Sequence, residues 1–90
     1  MSIGENLLAL QILKENYGEL AQSLAKCLTK YPSLSFMKIA EHMDVEKKLI
    51  AKILSILITN RLVDYELNSR QFVEYKLNLS NILRFIHISK

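Results

Sequence analysis

Basic and hydroxyl side chains recur at helical spacing in the middle of the chain. They are Lys48, Lys52, Ser55 and Thr59, which follow one another at steps of three or four residues, with Lys47 beside them. This spacing places them on one side of an α-helix. Lysine ammonium groups bind phosphate oxygens as point charges, and hydroxyl groups hydrogen-bond to them. The chemistry that this face predicts is contact with the phosphate backbone of a nucleic acid.

The same face is poor in side chains that read bases. Sequence-specific contacts in the major groove rely mainly on bidentate Arg, Asn or Gln, and the first half of this helix contains none of them. Arg70 adds a positive charge near a predicted hairpin tip, whereas Asp64, Glu66 and Glu74 on the hairpin would repel phosphate. We therefore expect any contact with double-stranded DNA to be weak and made to the backbone. A simple solvated helix face is the alternative.

Residues suited to catalysis or metal binding are sparse. His42 and His87 are far apart in sequence, Cys27 is the single cysteine, and no spacing typical of metal ligands occurs. The sequence also lacks a glycine-rich phosphate loop and a nucleophile motif. We expect a non-enzymatic domain without a cofactor, a metal or a small-molecule substrate.

The composition favours a small, folded and mainly helical domain. Half of the 90 residues are hydrophobic, 23% are charged, and there are two glycines and one proline. No apolar run is long enough to predict a membrane span. Residues 1–45 carry four basic and five acidic residues, whereas residues 46–90 carry eight basic and four acidic residues. This asymmetry favours a polyanion near the second half, or again a solvated face.

Hydrophobic periodicity and turn-forming residues predict five helices and a β-hairpin. The predicted helices span residues 6–16, 19–30, 35–43 and 45–60, and a fifth begins at 79–81. The predicted strands span 61–67 and 71–78, joined by Asn68-Ser69-Arg70, with one apolar and one wet face. We expect Ser35 and Asp44 to cap the third and fourth helices. The predicted fold is mainly α with a small β-hairpin (α+β), a winged helix-turn-helix with an extra N-terminal helix and a C-terminal helix.

The first and last helices carry more large apolar residues than the core of such a fold needs. They can pack on each other and enlarge the core, which is the expected outcome for most of them. Alternatively, some dock on a partner protein or a neighbouring domain, and the candidates are Leu7, Leu10, Phe85, Ile86 and Ile88. Because the sequence stops inside an apolar, basic segment, we expect residues 1–90 to be one winged-helix domain of a longer protein.

Four short motifs occur in a recognisable order along the chain. They are Leu13-Lys14-Glu15-Asn16-Tyr17-Gly18-Glu19, Asn60-Arg61-Leu62-Val63-Asp64-Tyr65, Val73-Glu74-Tyr75 and Ile82-Leu83-Arg84-Phe85. In order and spacing, the set resembles the N-terminal winged-helix domain of the RNA polymerase III subunit related to the alpha subunit of transcription factor IIE. The resemblance covers nearly all of the sequence.

The resemblance implies a nuclear, non-catalytic subunit that assembles with other RNA polymerase III subunits and acts in transcription initiation and promoter opening. It supplies no catalytic residues, and the later winged helices and coiled coil of the family are missing from this sequence. The alternative class is a free-standing homodimeric winged-helix regulator that binds DNA. In such a protein the apolar first helix would form the dimer interface.

Overall fold

The computed structural model describes the backbone of residues 3–89 and the side chains of residue 4 and residues 6–84. The elements in chain order are α1 (Ile3–Tyr17), α2 (Glu19–Lys30), β1 (Leu34–Ser35), α3 (Phe36–His42), α4 (Lys47–Thr59), β2 (Val63–Leu67), β3 (Val73–Leu77) and α5 (Leu79–Ser89). This mainly helical arrangement with a small antiparallel sheet confirms the predicted winged helix-turn-helix of the α+β class. Among the described residues, no helix is both long and apolar enough to cross a membrane.

The break between α1 and α2 follows from one glycine. Gly18 has φ 93°, in the left-handed region that glycine adopts without steric cost. Its N–H donates to the carbonyl of Lys14 at 3.0 Å, which closes the last turn of α1. The second helix then begins at Glu19 and has the predicted bounds, whereas α1 is longer than predicted.

The caps of α3 and α4 differ. The Ser35 hydroxyl accepts a hydrogen bond from the Lys38 backbone N–H at 3.3 Å, as predicted. The predicted Asp44 cap is wrong, because α4 begins at Lys47 and Glu46 occupies the N-cap position without a side-chain cap bond. The backbone of Glu46 is extended, with φ −57° and ψ 139°, so the first helical turn begins after it, and the neighbouring Val45 packs against the core.

The sheet has three antiparallel strands in the order β1-β3-β2. The hairpin of β2 and β3 was predicted, whereas β1 was not, because two residues are too few to show a period. Leu34 pairs with Tyr75 and Ser35 pairs with Glu74. The Ser33 hydroxyl also donates to the Glu74 carboxylate at 3.0 Å, which ties the start of the helix-turn-helix to the hairpin.

The hairpin has shorter strands and a longer connection than predicted. Residues 68–72 form the loop, and the Asn68 side-chain oxygen accepts hydrogen bonds from the N–H groups of Arg70 and Phe72 at 2.8 and 3.0 Å. Gln71 adopts a left-handed conformation with φ 65°. These local bonds hold the loop closed and replace two strand residues that the sequence pattern had predicted.

At the base of the hairpin, two asparagines form hydrogen bonds that hold the start of α5. The Asn78 side chain caps α5 by accepting from the Asn81 N–H at 3.1 Å, and it donates to Asp64 at 3.0 Å. The Asn81 side chain donates to the Arg61 carbonyl at 2.8 Å. The start of α5 is therefore held on the strand pair.

The core lies between the helices and the base of the sheet. Helix α1 packs against both α2 and α5, and α4 packs against α2 and β2. The largest fully buried side chains are Leu13, Leu24, Ile39, Ile50, Leu57, Leu62, Val63 and Ile82. No polar or charged residue is buried in the described part of the chain. Hydrophobic burial is therefore the main stabilising contribution of this core.

Candidate interaction surfaces

The predicted phosphate-binding residues of α4 lie on its solvent side. Lys47, Lys48, Lys52, Ser55 and Thr59 are all exposed. The last three line one shallow depression of about 340 Å³ together with Ile56 and Asn60. Lys48 precedes Lys52 by one helical turn, so it extends the same face toward the start of the helix.

The electrostatics of this face favour an anion. Within the described residues, the ammonium groups of Lys47, Lys48 and Lys52 form no ion pair. The Thr59 hydroxyl, however, donates to the Ser55 carbonyl at 2.8 Å, so its proton is already used within the helix. Attraction of an anion to this face therefore rests on the charges of the three lysines and not on the Thr59 hydroxyl.

The structure separates Arg70 from the basic depression on α4. Arg70 lies in the hairpin loop and lines a different groove, between the start of α3 and the hairpin tip. The sequence grouped Arg70 with the lysines by charge alone. The six candidate nucleic-acid residues therefore belong to two surfaces.

The groove beside Arg70 is mainly apolar and has a volume of about 540 Å³. We call it the wing-tip groove, and its apolar lining is Phe36, Met37, Phe72, Val73 and Tyr75. Three of these side chains are exposed large hydrophobics, namely Met37, Phe72 and Val73. Exposed apolar clusters of this kind are typical of binding surfaces. Sequence reasoning missed the groove, because it forms between α3 and a distant loop.

The apolar face of the hairpin is buried only at its base. Val63 is buried opposite Leu77, but Tyr65 and Leu67 are 62% and 65% exposed. The prediction that one face of the hairpin is buried is therefore correct only at the base of the hairpin. The alternation of apolar and charged residues indicated which face is apolar, but it could not show how far the helices cover that face.

The two chain ends differ in exposure. Leu7 is 61% exposed and remains available to a partner, whereas Leu10 is only 9% exposed and belongs to the core. The prediction that Leu10 contacts a partner is therefore wrong, because packing of α1 on its neighbours removes this side chain from the surface. The side chains of Phe85, Ile86 and Ile88 lie outside the described residues. Burial of Ile82 shows that the beginning of α5 enlarges the core, as expected for most of these apolar residues.

His42 and Cys27, which have side chains of types used in catalysis, pack against neighbouring side chains. His42 stacks on Tyr31 with ring centroids 5.0 Å apart. Cys27 packs against the core, and this burial raises the pKa of its thiol above the ordinary 9.0, although the Lys30 charge partly opposes the shift. The described residues contain no group of three or more His, Cys, Asp or Glu side chains placed to hold a metal ion.

Helix-turn-helix, hairpin and basic second helix together define a winged helix-turn-helix domain. The chain belongs to the family of the RNA polymerase III subunit RPC82 helix-turn-helix domain, whose model matches residues 7–68. It is also similar to DNA-directed RNA polymerase III subunit RPC3 of Homo sapiens and of Bos taurus. Each is 28% identical over 86 residues, which cover 96% of this chain and 16% of the relative. The chain thus spans about a sixth of the length of these relatives.

Proposed function

We propose that this chain is a non-catalytic interaction module of an RNA polymerase III subunit. The observation that carries the proposal is the family match over residues 7–68, from α1 to the end of β2. The curated relatives are named as subunits of DNA-directed RNA polymerase III. In this role the partners are other RNA polymerase III subunits, the location is the nucleus, and the process is transcription initiation, including promoter opening.

The exposed apolar residues support a role in protein contacts. The wing-tip groove, the outer part of the hairpin and Leu7 each present apolar side chains that the described core does not cover. Interfaces between proteins combine such apolar centres with a polar rim. Lys38, Arg70 and Glu74 supply a charged rim for the wing-tip groove. We also propose that residues 1–90 act as one winged-helix domain within a longer subunit.

A second part of the proposal is auxiliary contact with the DNA backbone. It is supported by the three lysines of α4 that form no ion pair with any described residue, in the helix that enters the major groove in helix-turn-helix proteins. Bidentate base-reading side chains are missing from the first half of α4, and Asp64, Glu66 and Glu74 give the hairpin an acidic side. The contact would therefore be sequence-blind and salt-dependent.

Co-purification tests the main proposal. A tagged copy of the natural protein should be recovered with RNA polymerase III subunits from nuclear extract. A tagged winged-helix protein of another family, expressed at the same level, serves as the control. Recovery without any polymerase III subunit would refute the proposal.

The homodimeric regulator has less structural support. Its expected dimer interface was α1, but α1 packs between α2 and α5 and buries Ala9, Leu10, Ile12 and Leu13. Sedimentation and a salt-dependent DNA titration separate the two functions. A stable dimer with a nanomolar, sequence-selective site would favour the regulator, whereas a monomer with micromolar, sequence-blind binding would favour the polymerase module.

A further inference from the structure

The hydrogen bonds at the two ends of the hairpin fix which way the backbone of β2 points. At the base, the Asn78 N–H donates to the Leu62 carbonyl at 2.9 Å, and at the tip the Asn68 N–H donates to the Phe72 carbonyl at 2.9 Å. In an antiparallel pair, alternate residues point their N–H and C=O groups toward the partner strand. The even-numbered residues from 62 to 68 therefore point toward β3, and the odd-numbered residues point away from it.

The outer edge of β2 consequently carries the backbone groups of Val63, Tyr65 and Leu67. Because the sheet order is β1-β3-β2, β2 is an edge strand, and no strand of the described residues lies beyond it. Val63 is buried at the base, whereas Tyr65 and Leu67 are exposed. Each of these two residues has one N–H donor and one C=O acceptor, so the edge offers two of each to a further strand.

The outer edge of β2 is protected against strand addition mainly by its negative charge. Edge strands of proteins are commonly guarded by charged side chains, especially Lys, by Pro or a bulge, or by being very short. The five residues of β2 include no Pro and pair with β3 in unbroken register, and their two charged side chains, Asp64 and Glu66, are both acidic and repel only acidic segments. The edge is therefore regular enough to pair with an extended segment.

The side chains beside this edge select the chemistry of that segment. Tyr65 and Leu67 lie on the apolar hairpin face. On the other face Glu66 lies directly opposite Glu74, and Lys76 approaches Glu66 at 3.9 Å. A strand with apolar residues on the first face and Lys or Arg on the second would complement both, since opposite charges on neighbouring strands stabilise a sheet.

A second copy of this chain does not fit the same edge. Two β2 strands paired antiparallel about Tyr65 would place Asp64 of one copy opposite Glu66 of the other. Like charges on adjacent strands are destabilising. Charge complementarity therefore selects a basic segment of another protein.

We propose that an extended segment of a partner protein adds to the outer edge of β2 as a fourth strand. Its residues alternate, with apolar side chains beside Tyr65 and Leu67 and a Lys or Arg beside Glu66. This inference rests on the proposed role as an interaction module, and it gives that role a surface and a partner chemistry.

Amide hydrogen exchange with a synthetic peptide tests the proposal. The probe is a blocked nine-residue peptide in which valine and lysine alternate, added to the 90-residue chain. The amides of Tyr65 and Leu67 should exchange freely in the unbound chain and slow about tenfold when the peptide is present at about ten times its Kd. The amides of Asp64 and Glu66 should be protected in both states, because they already bond to β3.

Two controls separate strand addition from simple charge attraction. A peptide with glutamate in place of lysine should bind more weakly. Glu66→Lys should lower the affinity for the lysine peptide about fivefold. Asp44→Lys makes the same charge change at an exposed site on another segment and should leave binding almost unchanged. Methylating the peptide nitrogens that face β2 should abolish the protection, whereas methylating the alternate nitrogens should not.

The outcomes are decisive in both directions. Protection confined to the odd-numbered amides supports strand addition. Absence of protection, equal protection of neighbouring amides, or equal binding of the glutamate peptide would overturn it. If the natural protein co-purifies with polymerase subunits but any of these results is obtained, the edge inference fails and the proposed function stands. Failure to co-purify refutes the function independently.

Discussion

Replacing Lys48 and Lys52 by Glu would remove two of the three ammonium groups from the exposed side of α4. The third, Lys47, remains at the start of the helix. If α4 touches DNA, each lysine that neutralises a phosphate releases counterions, and the logarithm of the affinity then falls with the logarithm of salt concentration by about 0.9 per contact. Three contacts give a slope of about −2.7, and one contact gives about −0.9.

These slopes translate into a measurable difference. Between about 50 and 200 mM salt, the unchanged chain should lose about 40-fold in affinity for a random duplex, whereas the double variant should lose about threefold to fourfold. The variant should also bind more weakly at the lower salt concentration, because two attractive charges have become repulsive. Fluorescence anisotropy of a labelled duplex at several salt concentrations measures both quantities.

A matched control keeps the net charge equal. Lys14→Glu with Lys26→Glu makes the same charge change on α1 and α2, where both side chains are exposed. Circular dichroism would establish that both variants keep the helical content of the original chain. If the α4 variant and the control have the same affinity and salt slope, DNA contact through α4 is refuted, and its lysines form only a solvated face.

Three further predictions concern the fold and the thiol. Leu57 is fully buried, so Leu57→Ala should lower the free energy of unfolding by about 2–5 kcal/mol in urea titrations, whereas the exposed Leu7→Ala should change it by less than about 0.5 kcal/mol. Ser35→Ala should cost about 1 kcal/mol by loss of its cap bond, and Asp44→Ala, which removes no cap, should cost much less; equal losses would contradict the assigned caps. Burial raises the pKa of the Cys27 thiol, so iodoacetamide should alkylate the folded chain more slowly than the urea-unfolded chain near pH 8. The folding stability linked to this thiol should be complete below pH 9.0, its ordinary pKa, and should decrease as the pH rises through the higher folded pKa. Equal alkylation rates of the folded and unfolded chains would refute the raised pKa.

Local signals allowed much of the fold to be predicted. The bounds of α2 follow from Gly18 before it and Pro32 after it, and the Ser35 cap follows from a hydroxyl placed ahead of an apolar period. Longer-range effects account for the errors. Val45 packs against the core just before α4 begins, and β1 depends on pairing with Tyr75, which is distant in sequence.

The candidate surfaces were predictable only in part. Helical spacing correctly placed Lys52, Ser55 and Thr59 on one face, because neighbours on a helix are fixed by its period. The same reasoning could not separate Arg70 from them or recognise the exposure of Tyr65. Both depend on where the hairpin lies relative to α3 and α4, which is a property of tertiary packing rather than of any local pattern.

The packing of α1 against α5 has a consequence for the order of folding. The first and last helices are neighbours in space although residues 18–78 separate them in sequence. During synthesis, the side of α1 that contacts α5 has no cover until the hairpin has closed and Asn78 can cap the last helix. Contacts of such long sequence separation slow folding, and the uncovered apolar side exposes the nascent chain to aggregation. Early binding by a chaperone would therefore be most useful at α1.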